Sequence, residues 1–157
     1  MFLNVGDKAG LERACGAILA AGADILVARM IAGSREFMAG MSRHPGFPPC
    51  IMFGLGGVFA EAVKDFTIRL APLSPADALE MTGSLRAGAL LGPFRGMGEA
   101  DRGSLASLLV GLGNLALDFP SIKEIDLNPI IIENGRPCVA DALMVTEQEE
   151  RDGQQDT

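Results

Sequence analysis

Tryptophan and tyrosine are absent from this 157-residue chain, histidine occurs once and cysteine three times. Basic residues are also in short supply: 13 against 20 acidic ones, for a formal net charge of −7. A nucleic-acid binder needs a basic footprint, commonly interleaved with aromatic side chains, and neither is present. Long apolar runs are missing too. Ala14 to Ala23 and Leu105 to Leu117 are the longest, too short or too interrupted for a bilayer span of about 20 residues, so no membrane partner is expected. The start lacks a basic n-region followed by a long apolar core, so no signal peptide is expected and a cytoplasmic location follows as the default. Cys15, Cys50 and Cys138 are isolated and show no metal-ligand or CxxC spacing, which reads as reduced, mostly buried thiols. His44 falls in the Pro- and Gly-rich stretch RHPGFPP and reads as a loop residue.

What is present is one domain's worth of patterned sequence, long enough to bury roughly 70% of its unfolded surface. Phe2 to Val5 reads as a short strand. Asp7 is placed to cap a helix bearing Leu11, Ala14, Cys15, Ile18 and Leu19 on one stripe, ended by Gly22. Ile25 to Ile31 reads as a branched strand paired antiparallel with Glu36 to Ser42, in which Phe37, Ala39 and Met41 share a face. Cys50 to Phe53 and Phe66 to Leu70 read as further strands. Ser74, Pro75 and Asp77 give a helix start, with the helix expected to reach Arg86. The glycine-rich segment from Gly88 to Gly103 reads as an irregular loop, and Ser104 to Asp118 as a helix with a leucine stripe. Strands, then helices, then a hairpin predict an α+β fold rather than a doubly wound parallel sheet.

Two stretches carry chemistry. In IKEIDLNPIIIENGRPCVADAL, from Ile122 to Leu143, Asn134 and Gly135 predict a type I′ turn, because both central residues must take positive φ. Pairing outward from it sets Glu133 against Arg136, Ile130 against Val139 and Asn128 against Asp141, with Glu124 and Asp126 on the same face as that last pair. An acidic end of this kind suits a hard cation such as magnesium, which is held by one or two carboxylates plus substrate phosphates. Strand capping, or pairing with Lys and Arg, accounts for the same residues equally well. Pro129 falls at a hydrogen-bonded position of this ladder, where a bulge would shift the register. The second stretch is the strand ending in Gly54, Leu55, Gly56 and Gly57. Backbone amides there can approach a phosphate closely, or the glycines simply make a tight turn.

The runs MFGLGGVFAEAVKDFTIRLAPL (from Met52), LLGPFRG (from Leu90), EIDLNPIII (from Glu124) and VADAL (from Val139) resemble, in order and spacing, the ATP-grasp domain of NDP-forming acyl-CoA synthetases, relatives of the succinyl-CoA synthetase β subunit. The resemblance implies an ATP-grasp-like mixed, mostly antiparallel sheet with packed helices, covering residues 1–146 and leaving 147–157 as a polar tail or linker. It implies that the acid, CoA and ATP are converted to acyl-CoA, ADP and phosphate through a phosphohistidine, with Mg2+ and ATP/ADP as cofactors. It places Asn128 and Asp141 at the metal ligands, Asp126 at an acidic residue that helps hold the phosphohistidine, Glu36 at a glutamate of the nucleotide pocket, and Gly56, Gly57 and Arg69 in the nucleotide-binding set near the phosphohistidine end of the site. Ala28 and Arg29 stand where the family has Gln and Glu, or Glu alone, against adenine or ribose.

The expected partners are the family's upstream ATP-grasp half, which would precede Met1, and a CoA-binding, histidine-bearing domain or subunit; a homo-oligomer stays open. The family's upstream lysine, glycine loop and relay histidine have no match here, so the chain is expected to be inactive alone. The competing expectations are a degenerate noncatalytic ATP-grasp module kept as a docking or regulatory surface, and an ATP-grasp domain attached to an acetyltransferase.

Overall fold

A computed structural model describes residues 2–57 and 60–147. The chain divides into two units, residues 1–31 and 32–157.

In the first unit, α1 runs Lys8–Ala20, and Asp7 caps it by accepting the Gly10 N–H at 2.6 Å. Gly22 takes a positive φ of 71° just past its end. Of the expected stripe only Ala14 is buried. Phe2 to Val5 and Ile25 to Ile31, both read from sequence as strands, are not strands in the structure. A branched apolar segment becomes a strand by pairing, since its own backbone groups cannot satisfy one another. Neither segment has a ladder partner among the described residues, and Leu26 is 91% exposed. The expected pairing of Ile25 to Ile31 with Glu36 to Ser42 is therefore replaced by other partners.

The second unit is a sheet with helices packed on one face. Its strands are β1 (Glu36–Ser42), β2 (Cys50–Leu55), β3 (Phe66–Leu70), β4 (Ile122–Glu133), β5 (Arg136–Val139) and β6 (Ala142–Thr146). The order is β3-β2-β1-β4-β5, with β6 also on β4, and the pairings among the described residues are antiparallel. The helices are α2 (Ala60–Val63), α3 (Pro75–Gly83) and α4 (Arg102–Asp118). The α+β reading and its antiparallel sheet hold. Ser74 caps α3 in a reciprocal capping box with Asp77, as expected, but the helix stops at Gly83 rather than Arg86. The loop after it contains a short 3₁₀ turn at Gly88–Leu91, and α4 starts two residues early because Asp101 caps it through the Ser104 N–H.

Phe37, Ala39 and Met41 of β1 meet Ile51 and Phe53 of β2, Ile125, Ile130 and Ile132 of β4, and Leu105, Leu109, Leu112 and Ala116 of α4 in one core. Phe37 and Phe53 stack with centroids 5.6 Å apart. Cys15, Cys50 and Cys138 are thiols outside any disulfide, as expected, though half-exposed rather than mostly buried. His44 lies in the loop after β1, its Nε2 3.3 Å from Ser42 Oγ. Among the described residues no helix is long and apolar enough to cross a membrane. The expected tail lies, from residue 148 on, outside the described residues.

Candidate functional site on the open face of the sheet

On the face of the sheet turned away from α3 and α4, strand alternation places Glu36, Glu124 and Asp126 beside exposed apolar residues such as Ile68 and Leu70. In the β4–β5 hairpin Asn134 and Gly135 take φ of 50° and 83°, the pair of positive values that a type I′ turn needs. The register that follows is the predicted one: Glu133 faces Arg136, Ile131 faces Cys138 and Ile130 faces Val139. Beyond a two-residue interruption at Ala140 and Asp141 the same register continues into β6, with Leu127 opposite Ala142 and Asp126 opposite Leu143. Asn128 therefore stands opposite Asp141, its N–H donating to the Asp141 carbonyl at 3.2 Å. The predicted disturbance at Pro129 does occur, but on the other side of β4. Asn128–Pro129 is a cis peptide bond, the pairing with β1 slips between Phe37 and Ala39, and the β5–β6 side keeps its register.

Asp126 faces Gly40 of β1, one step along from the core pair Ala39 and Leu127, so its carboxylate turns to the open face. Gly40 has no side chain to cover it. Burial, then the charges of Glu124 and Asp141, raise the Asp126 carboxyl above the ordinary 3.8. The predicted acidic end is thus a real cluster with surplus negative charge. Asp141 uses Oδ1 to accept the Ala142 N–H at 2.9 Å. The Asn128 carboxamide has no hydrogen-bond partner among the described residues, and no three His, Cys, Asp or Glu side chains there are grouped to hold a metal unaided. A carboxylate and a carboxamide facing each other, with a strained acid beside them, fit an oxygen-seeking cation that takes its remaining ligands from a phosphate.

Glu36, Gly56 and Gly57 meet at one end of the same face. Gly56 N–H donates to the Glu36 carbonyl at 2.9 Å, and a Cβ at Gly56 would lie 2.8 Å from the Phe37 carbonyl oxygen. Gly57 has φ +72°, and a Cβ there would lie 2.8 Å from Glu36 Oε2. Both glycines are required by close approach, and the Glu36 carboxylate sits directly against the second. Glu36 and Gly40 are four residues apart on β1, so this end lies roughly 13 Å from the level of Asp126 along the strand. Arg69 stands apart from both groups. It faces the core residue Ile51 across the β2–β3 ladder, so it turns to the helix side, where it binds Glu80 of α3 at 3.0 Å.

Sequence reasoning passed over Arg35. Extending the Phe37, Ala39, Met41 parity back by one step puts this arginine on the core face, and it is 5% exposed. Its guanidinium donates to the carbonyls of Leu90 (3.0 Å), Gly92 (3.1 Å) and Gly98 (2.8 Å).

Residues 3–146 match the family described as ATP-grasp domain. The chain belongs to the ATP-grasp domain family. Within that family it is 42% identical over 121 residues to the β subunit of acetate–CoA ligase [ADP-forming] I of Pyrococcus furiosus, a match covering 77% of this chain and 52% of that protein. It is 40% identical over 125 residues to acetate–CoA ligase [ADP-forming] I of Archaeoglobus fulgidus, covering 80% of this chain and 18% of that one. Among solved structures, acetyl-coenzyme A synthetase 1 of Candidatus Korarchaeum cryptofilum, in complex with coenzyme A and Mg-AMPPCP, aligns with a TM-score of 0.85 at 34% identity, over 93% of this chain and 67% of that one. The ATP-grasp chain thus spans about half of the β-subunit relative and under a fifth of the longer one.

Proposed function

We propose that residues 1–146 are the carboxy-terminal portion of the ATP-grasp domain of an ADP-forming acyl-CoA synthetase, acting in the cytoplasm. Together with the remaining ATP-grasp half and a CoA-binding, histidine-bearing domain or subunit it converts an acid, CoA and ATP to acyl-CoA, ADP and phosphate through a phosphohistidine. The observation that carries this reading is the pairing of Asn128 with Asp141 beside Asp126 on the open face, in a chain whose relatives include ADP-forming acetate–CoA ligases.

Asn128 and Asp141 would hold Mg2+ on the phosphates of ATP or ADP, where the ion neutralises charge during phosphoryl transfer. Glu36, Gly56 and Gly57 form the other end of the site. Along β1 they lie about 7 Å from the level of the Asn128–Asp141 pair and roughly 13 Å from that of Asp126. Asp126, whose carboxyl is raised above its ordinary value by burial and then by the charges of Glu124 and Asp141, is placed to hydrogen-bond an incoming imidazole and orient it for transfer. Arg69, bound to Glu80 on the helix side, is left out of this set.

The test is Asp141→Ala in the chain assembled with the family's other ATP-grasp half and a histidine-bearing partner, assayed as acyl-CoA-dependent ADP phosphorylation. Activity should fall by about a hundredfold or more, as for other groups that organise charge at a transferring phosphoryl, with the melting temperature unchanged because Asp141 is exposed. Retention of full activity by both Asp141→Ala and Asn128→Ala would overturn the assignment. A noncatalytic docking module is the second reading, favoured by Ala28 and Arg29 in place of the family's base-contacting groups. It requires the wild-type assembly to be inactive as well.

A further inference from the structure

Ser34, Arg35 and Glu36 are consecutive, and each touches a different part of the second unit. Ser34 Oγ contacts Met97 Sδ at 3.5 Å, Arg35 binds the carbonyls of Leu90, Gly92 and Gly98, and Glu36 packs against Gly57. The backbone of this run is held as tightly. Ile132 N–H donates to the Arg35 carbonyl at 3.0 Å, and a Cβ at Gly33 would lie 2.6 Å from the Ile132 carbonyl oxygen.

The loop that Arg35 grips ends in a small hairpin. Phe94 and Met97 exchange N–H and carbonyl bonds at 3.1 and 2.9 Å, and the two residues between them, Arg95 and Gly96, take φ of 47° and 80°. That is the same two-residue turn as Asn134–Gly135, with a long cationic side chain where Asn or Asp is usual. Arg95 is exposed, lies over the Phe94 ring at 5.4 Å, and has no carboxylate partner among the described residues. Arg35 is buried, forms no ion pair among the described residues, and leaves its Nε without a hydrogen bond. A buried guanidinium bonded only to carbonyls is costly, since neutral acceptors do not cancel its charge. Packing alone would be served better by an apolar side chain. What an apolar side chain could not do is fix three carbonyls of one glycine-rich loop at once, because only the planar fork supplies donors in several directions.

We propose that the Phe94–Met97 turn is an anion-binding arm: Arg95 is its contact residue, for a phosphate-bearing ligand, and Arg35 is the positioning residue that fixes the arm to the strand carrying Glu36. The proposal builds on the synthetase reading in naming the ligand class, but its test does not depend on that activity. Tripolyphosphate is titrated into the 157-residue chain and followed by amide chemical shifts. Arg95 and Gly96 should move in the wild type and stay still in Arg95→Gln. Arg35→Met should weaken the response about tenfold, the worth of one charge-assisted hydrogen bond, and Arg35→Lys should fall between because it keeps charge without the fork.

Arg136→Gln, on the neighbouring hairpin, controls for general charge and should leave the titration as it is. If Arg35→Met does not fold, Gly96→Val distorts the turn without touching Arg35 and should abolish the response by itself. A wild type whose Arg95 and Gly96 do not shift, or an Arg35→Met or Gly96→Val protein that responds as the wild type does, would overturn the proposal. An inactive assembled enzyme whose Arg95 still responds to tripolyphosphate would instead overturn the synthetase reading and leave the arm standing.

Discussion

The face of the sheet that meets the helices and the face turned away from them are made by alternate residues of the same strands, yet they obey different rules. Toward the helices, Phe37, Phe53, Ile51 and Ile130 are fully buried and their neighbours interlock. Toward the open side, Asp126 sits with Glu124 and Asp141 and carries a raised carboxyl, an arrangement that works against the folded state. The difference teaches where stability and chemistry are kept. A buried apolar face tolerates a strained polar one because each strand residue contributes to one side only.

Substitutions on the two faces should therefore differ in size and in sign. Truncating the core face has the largest expected effect: Phe53→Ala removes a fully buried ring stacked on Phe37 and should cost about 3–5 kcal/mol, read from urea denaturation. A change at the turn that sets both faces comes next. Gly135→Ala places a Cβ 2.8 Å from the Glu99 carbonyl oxygen at φ +83°, and should lower stability by about 1–3 kcal/mol in the same measurement.

The smallest effect has the opposite sign. With its folded value raised above 3.8, Asp126 holds its proton more tightly in the native state than in the unfolded chain, so stability falls as pH rises from 3.8 through the raised value and stays at the lower level above it. Asn has no such proton to lose. Asp126→Asn should melt above the wild type at neutral pH, with the gap closing as pH is lowered toward 3.8, in thermal scans at a series of pH values. A gap that widens toward acid would mean the two faces are not divided in this way.

The parts of the structure legible in the sequence were those set by local chemistry. The Asn134–Gly135 turn, the capping residues Asp7 and Ser74, and the alternation in Glu36 to Ser42 each act within a few residues, and each is found as read. From the turn alone the Asn128–Asp141 opposition followed. Ile25 to Ile31 was misread because branched apolar residues signal a strand only when another strand is there to bond with, which composition cannot state. Arg35 was missed because its partners are carbonyls 55 to 63 residues away, and carbonyls leave no mark in a sequence. Arg69 was drawn to the site by motif order, while strand parity sends it to Glu80.

The hairpin turn also has a consequence for how this sequence can change over time. Gly135 gives its carbonyl to the Asp101 N–H at 2.7 Å and presses against Glu99, so an extra residue there has no room to loop out. It would have to be absorbed by sliding one strand past the other, and a slide of one position sends every side chain to the opposite face. Asp141 would then leave Asn128, roughly 20 Å from the insertion, with neither residue altered. The length of this turn is thus part of the site's specification, and natural variation should appear there as exchanged residues, not as added or lost ones.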